Sequence, residues 1–159
     1  MNLQAYRSHK NTIITEGVNN LKIKELMTTD VKTVSSNDTV VKAAALMNDI
    51  NVGSIPVVDN NKVVGIITDR DIVLRNVAQG KDPNQKVTDV MTTDVTYATP
   101  DMDVHKAADL MADKQVRRLP VVDNDKLVGI VAIGDLAVET IFENEAGEAL
   151  GDISHGIRH

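Results

Sequence analysis

The sequence predicts an α/β (α+β) protein in which one β-α-β-β-α unit is used twice. Three observations predict it. The stretch from Lys22 to Ile72 lies without a gap on Lys86 to Leu136, with about half of the pairs identical: LMTTDV becomes VMTTDV, VVKAAALM becomes VHKAADLM, and IPVVDNNKVVGII becomes LPVVDNDKLVGIV. A period of that length marks two copies of one supersecondary unit. Within each copy a run of apolar residues at helical spacing is followed by two β-rich runs around a two-residue turn, and then by a second helical run.

Taken in order, each copy opens with a short strand candidate, Val31 to Val34 or Val95 to Ala98. A cluster of helix-capping residues follows, Ser35-Ser36-Asn37-Asp38 in one copy and Thr99-Pro100-Asp101 in the other, and announces a helix. Val40, Ala43, Ala44 and Met47 then recur at i, i+3, i+4 and i+7, as do Val104, Ala107, Ala108 and Met111. One face of each helix is therefore apolar and small, suited to packing closely on a sheet. Asn60-Asn61 and Asn124-Asp125 tolerate positive φ and predict tight hairpins between the two β runs. A second helix is expected from about Asp69 to Gln79, stopped by Gly80, with its counterpart starting near Asp135. The organisation is then a leader at 1–20, unit 1 at 21–80, a linker at 81–85, unit 2 at 86–141, and a C-terminal extension at 142–159 with room for one short helix.

Composition narrows the function classes. The chain of 159 residues is 42% hydrophobic with only Tyr6, Tyr97 and Phe142 as rings, so the core is built from aliphatic residues, alanine and methionine. It has no cysteine, which excludes disulfides, thiol nucleophiles and thiolate metal sites. A formal charge of −6 argues against nucleic acid or an anionic membrane as the partner. With no apolar run long enough to span a bilayer and no signal-peptide core, the expectation is a soluble cytoplasmic protein.

The tandem β-α-β-β-α unit, with LMTTDV at its start, Gly-Ser-Ile-Pro-Val-Val on its second strand and GIITDRD closing its third, resembles a CBS-domain pair (named for cystathionine β-synthase), of the small stand-alone bacterial type. VRRLPVVD and LVGIVAIGDLA extend the likeness through the second copy, and it covers roughly Lys22 to Thr140. The resemblance implies two copies packed about a pseudo-twofold axis, two clefts that often hold adenosyl ligands such as AMP, ATP or S-adenosylmethionine, and pairing into disc-like dimers.

Thr68-Asp69-Arg70-Asp71 stands where the third strand becomes the second helix, and two roles for it are compatible. In a capping box the Thr68 hydroxyl accepts from the Asp71 N–H while the Asp71 carboxylate accepts from the Thr68 N–H. A carboxylate at that place can also accept both hydroxyls of a ribose diol, as the resemblance implies. Ser54, Ile55 and Pro56 are expected beside the adenine that the resemblance implies, because proline removes a donor from its strand and frees neighbouring backbone, with Thr29 and Val31 at the edge of the same pocket; the alternative is simply an edge strand with apolar core residues. Arg117-Arg118 replaces Gly53-Ser54, and under pseudo-twofold packing these guanidiniums reach the phosphate of a nucleotide in the first cleft. The alternative is an arginine pair held by surface carboxylates. The second site is expected to be weaker: Leu119, Pro120 and Asp135 remain, but Ala132 replaces Thr68 and Gly134 replaces Arg70, and Tyr97 either stacks on a base or fills strand surface.

His155 and His159 have the spacing of a helical metal pair but lie in a tail with no carboxylate between them, so no metal site is expected. Walker A, GxGxxG, GxSxG and HExxH patterns are absent, and no nucleophile and base stand together. The function expected is a non-catalytic sensor or regulatory module. It binds an adenosyl ligand (AMP, ATP, NAD or S-adenosylmethionine), requires no cofactor, acts as a homodimer and signals to an unidentified protein partner. The rival is a ligand-independent dimeric interaction or stress-associated scaffold in which Thr68 and Asp71 only cap a helix.

Overall fold

The computed structural model describes residues 21–138. The leader at 1–20, the extension at 142–159 with its histidine pair, and the last residues of unit 2 lie outside the described residues. The chain runs through a 3₁₀ turn (Ile23–Glu25), α1 (Val40–Ile50), β1 (Ser54–Asp59), β2 (Lys62–Thr68), α2 (Asp69–Arg75), 3₁₀ turns at Val77–Gln79 and Val87–Asp89, α3 (Val104–Lys114), β3 (Arg118–Asp123), β4 (Lys126–Ala132) and α4 (Ile133–Val138). It is a mixed helix and strand structure with two small two-stranded sheets, β1-β2 and β3-β4.

The periodic signals translate directly. Val40, Ala43 and Met47 of α1, and Val104, Ala107, Ala108 and Met111 of α3, are buried. Val40, Ala43 and Met47 join Ile55, Val57 and Ile67 in the first core, so these three are spent on intramolecular packing, while Ala44 of the same stripe is half-buried. Asn60 (φ 48) and Asn61 (φ 68), like Asn124 (φ 48) and Asp125 (φ 65), take the left-handed conformation that a two-residue hairpin turn requires. β1 and β2 pair antiparallel from Ser54↔Thr68 to Asp59↔Lys62, with a bulge between Val57 and Val58.

Three expectations change. The caps of α1 and α3 are Thr39 and Asp103, downstream of the clusters read from sequence. Asp38 is occupied otherwise: its carboxylate accepts from the Ser35 N–H at 2.8 Å and from Lys42 Nζ at 2.6 Å, which hold it below the usual carboxylate range, the lysine contributing most. The strands expected at Val31–Val34 and Val95–Ala98 shrink to single parallel bridges, Val34↔Val57 and Ala98↔Val121. Proline is the cause. Val34 N donates to the Pro56 carbonyl at 3.2 Å and Val58 N to the Val34 carbonyl at 2.8 Å, so the next rung of a parallel ladder needs an N–H from residue 56, which proline lacks. Pro120 stands in the same relation to Ala98 (2.9 Å). Finally, the helix expected to reach Gln79 ends at Arg75. Asn76, only 1% exposed, breaks it. Its carbonyl accepts from Gln79 N and Lys81 N, and its side chain donates to the Asp82 carbonyl at 3.0 Å, which pins the linker before Gly80 (φ 62) turns the chain.

The covalent repeats and the compact bodies do not coincide. One body contains Thr29–Tyr97 and Val122–Val128; the other contains Ala98–Val121 and, among the described residues, 21–28 and 129–138. Each copy's lead-in segment therefore packs with the other copy's elements. Ile23 N and Lys24 N donate to the Met102 and Pro100 carbonyls (3.0 and 2.9 Å), and Thr28 and Ile130 exchange two bonds of 2.9 Å. In the other body Val87 N donates to the Asp38 carbonyl (2.9 Å), Val40 N to that of Gln85 (3.0 Å), and Ile66 and Thr92 exchange two bonds of 2.9 Å.

Each lead-in segment is keyed by a methionine lying over a glycine of the hairpin: Met91 over Gly65, and Met27 over Gly129, where a Cβ would fall 2.6 Å from Met27 Sδ. Gly65→Ala is expected to destabilise the protein by about 1–3 kcal/mol through overpacking. Urea melts of Gly65→Ala, Met91→Ala and the double variant check this. A coupling of about 1 kcal/mol or more supports the key, and additive losses contradict it.

Candidate functional site

At the end of the first hairpin the chain turns from β2 into α2, and the local sequence fixes the geometry. The Thr68 hydroxyl accepts from the Asp71 N–H at 3.0 Å and Asp71 Oδ2 accepts from the Thr68 N–H at 3.0 Å, a complete capping box. Asp71 also stands 3.6 Å from Arg75 Nη1, its side chain 13% exposed. Ser54 sits opposite Thr68 in the hairpin register, and the Asp69 N–H donates to the Gly53 carbonyl at 2.9 Å, so the starts of β1 and α2 are held together. A side chain at Gly53 would press on Asp69 Oδ2, 3.1 Å from its Cβ. Ser54 Oγ is buried and has no hydrogen-bond partner, an unusual and costly condition for a hydroxyl. This corner thus offers an orphaned hydroxyl, the Thr68 hydroxyl with its proton free to donate, and the Asp71 carboxylate.

The residues named from sequence divide between the two bodies. Thr29 (exposed), Val31 (half-buried), Ser54, Ile55, Pro56, Thr68, Asp71 and Tyr97 belong to one; Arg117, Arg118, Leu119, Pro120 and Asp135 belong to the other. Ile55 and Leu119 are core residues, 0% exposed. Tyr97 is 53% exposed. Arg117 is exposed and Arg118 half-buried.

The second copy repeats the corner with half of its cap. Asp135 Oδ2 accepts from the Ala132 N–H at 2.7 Å, while Ala132 has no hydroxyl to return the bond, and the Ile133 N–H donates to the Arg117 carbonyl at 2.9 Å. Where the first copy places Gly53 beside the Asp69 carboxylate, the second places Arg117 beside Ile133. Asp69 and Arg75 join the corner without having been among the expected site residues; the replacement of Gly53 by arginine, and of Asp69 by isoleucine, is the signal that separates the corners. Among the described residues no cluster of histidine, aspartate and glutamate could hold a metal ion, and no helix is long and apolar enough to cross a membrane.

Comparison with known proteins agrees with this architecture. The chain matches the CBS domain family at residues 23–76 and 87–139, one domain per copy. It is 51% identical over 133 residues to the CBS domain-containing protein YhcV of Bacillus subtilis, covering 84% of this chain and 95% of that one. Among solved structures, a CBS domain protein of unknown function from Thermoplasma acidophilum matches with a TM-score of 0.75 and 27% identity, over 87% of this chain and 78% of the other. A CBS domain pair in complex with 5′-methylthioadenosine and S-adenosyl-L-methionine matches with a TM-score of 0.68 and 32% identity, over 74% and 94%. The chain belongs to the CBS domain family, as a tandem pair, a regulatory class of module.

Because the first cap is complete and the second is half made, Thr68→Ala is expected to cost about 0.5–2 kcal/mol of stability, and Ala132→Thr to recover a smaller amount. Thermal melts without ligand check both. An unchanged Thr68→Ala protein would deny the cap its role.

Proposed function

We propose that the chain is a non-catalytic sensor that binds one adenosyl compound at the Ser54–Thr68–Asp71 corner and passes occupancy on through dimer shape or a protein partner. The observation that carries this reading is the buried, unpartnered Ser54 hydroxyl facing a complete cap. A ribose offers what the corner lacks: two hydroxyl donors for Asp71 and polar atoms for Ser54 and Thr68. The backbone at Ile55 and Pro56, with Thr29 and Val31 beside it, is the proposed adenine contact, supported by the interrupted ladder at Pro56. Arg117 and Arg118 are proposed to read phosphate, as planar donors suited to it. The half cap at Asp135, with Tyr97, Leu119 and Pro120, is the proposed weaker second site. A related pair solved with 5′-methylthioadenosine and S-adenosylmethionine makes both reasonable probes.

The protein is proposed to act as a homodimer. Since the Val40–Ala43–Met47 stripe is consumed by the core, the face proposed for pairing is on α2 and the turn after it, where Val73, Leu74 and Val77 are 53%, 48% and 64% exposed. The same apolar face favours the second reading, a ligand-independent scaffold. Nucleic acid and membrane are not proposed as partners of a chain with net charge −6.

A thermal-shift panel of adenosine, AMP, ATP, NAD and S-adenosylmethionine, with light scattering of the same samples, separates the readings. The sensor is expected to be stabilised by at least one compound, by about 2.7 kcal/mol at a hundredfold excess over Kd, and to scatter as a dimer that Leu74→Lys splits. No shift with any of the five leaves the scaffold, and a monomer mass throughout removes the dimer.

A further inference from the structure

Arg75, the last residue of α2, ties the candidate corner to a segment of the other copy. Its Nη1 donates to the Val90 carbonyl at 2.8 Å and the Met91 carbonyl at 3.2 Å, reaches Thr92 Oγ1 at 3.4 Å, and stands 3.6 Å from Asp71 Oδ1. Asp71 Oδ2 is committed to the Thr68 N–H, so Oδ1 is the oxygen shared between the guanidinium and whatever else arrives. The segment it grips is itself well seated. Val90 is 1% exposed, Met91 lies over Gly65, and Thr92 exchanges two bonds with Ile66 on β2. Downstream, at Tyr97 to Ala98, the chain passes from one compact body to the other.

The repeat sharpens the point. Under the alignment of the two copies Arg75 falls on Glu139, a residue of opposite charge, while Val90-Met91-Thr92 falls on Leu26-Met27-Thr28, nearly unchanged. The gripped segment is kept in both copies, but the cation goes with the complete capping box alone. All of these contacts converge on one guanidinium nitrogen, Nη1, at the end of a long side chain that stays charged; a lysine ammonium keeps the charge but is shorter and more strongly hydrated.

We propose that Arg75 is a positioning residue that orients Asp71 for a ligand diol and relays occupancy of that carboxylate to Val90–Thr92. The proposal rests on the reading of Asp71 as the ribose contact. Two hydroxyls donating to Asp71 replace its 3.6 Å attraction to Arg75. Released from that pull, the guanidinium shortens the bonds it already donates to the Val90 and Met91 carbonyls, and the lead-in segment tightens on β2. Occupancy is thereby carried to the stretch of chain that leads into the other body.

Hydrogen–deuterium exchange of the full chain tests this, with and without the tightest binder among adenosine, AMP and S-adenosylmethionine, chosen by calorimetry on the wild type. The amides of Met91 and Thr92 donate to Val87 and Ile66, so both report the segment. Binding is expected to slow their exchange by about tenfold in the wild type, by less than about twofold in ligand-saturated Arg75→Gln, and by an intermediate factor in Arg75→Lys. Arg75→Lys alone carries the comparison if Arg75→Gln fails to fold. Full ligand-dependent protection in the substituted protein would overturn the relay while leaving the ribose reading intact. No calorimetric binding to the wild type overturns the ribose reading, and the relay with it, before any exchange is measured.

Discussion

A two-stranded hairpin is too small to stand alone in water, and that constraint organises the molecule. Each hairpin, β1-β2 or β3-β4, has one edge closed by a single parallel bridge and the other by a lead-in segment from the opposite copy, anchored through a methionine over a glycine. Both bodies depend on chain from both repeats. The short linker between copies is held rigidly enough to make this exchange, with buried Asn76 bonding to it and Val41 N donating to the Pro83 carbonyl at 2.9 Å. The 3₁₀ turns at Ile23–Glu25 and Val87–Asp89 exist to aim those segments.

Exchange also places chemistry. The hairpin register brings Ser54 opposite Thr68 where β2 meets the start of α2, and the geometry of Thr68 and Asp71 is set by a capping box of modest stability. The first copy keeps every part of it. The second keeps the carboxylate and loses the hydroxyl, yet its core is as well filled: Leu119, Val121, Val131 and Leu136 are all 0% exposed. Packing has been preserved in both copies while polar chemistry has not, and that contrast supports the binding proposed at the first corner.

The features legible in sequence were the local ones. The Asn60-Asn61 turn announces positive φ because few other pairs tolerate it; the Val40 and Val104 stripes announce helices because burial enforces their spacing; Thr68 and Asp71 announce the cap because both arms lie within one turn. What was not legible depends on partners distant in the chain. Asp38 reads as a cap until Lys42 and Ser35 claim it, leaving Thr39. Val31 to Val34 reads as a strand until Pro56 withholds the donor it needs. Gln115 adopts φ 55 at the end of α3 with no glycine or asparagine to signal it. Locally Arg75 is only the i+4 partner of Asp71, and the rest of its meaning comes from carbonyls fifteen and sixteen residues away. Nor can a repeat in sequence say which copy's lead-in completes which body, since the period is blind to exchange.

Two copies with matching elements and equally filled cores are proposed to differ in binding because only one retains the full polar corner. Calorimetric titration of the intact protein with the best adenosyl ligand measures this directly, through stoichiometry. One site per chain is expected, abolished or weakened at least tenfold by Asp71→Ala and retained in Asp135→Ala. Two equal sites per chain, or a site lost with Asp135 and kept without Asp71, would contradict it.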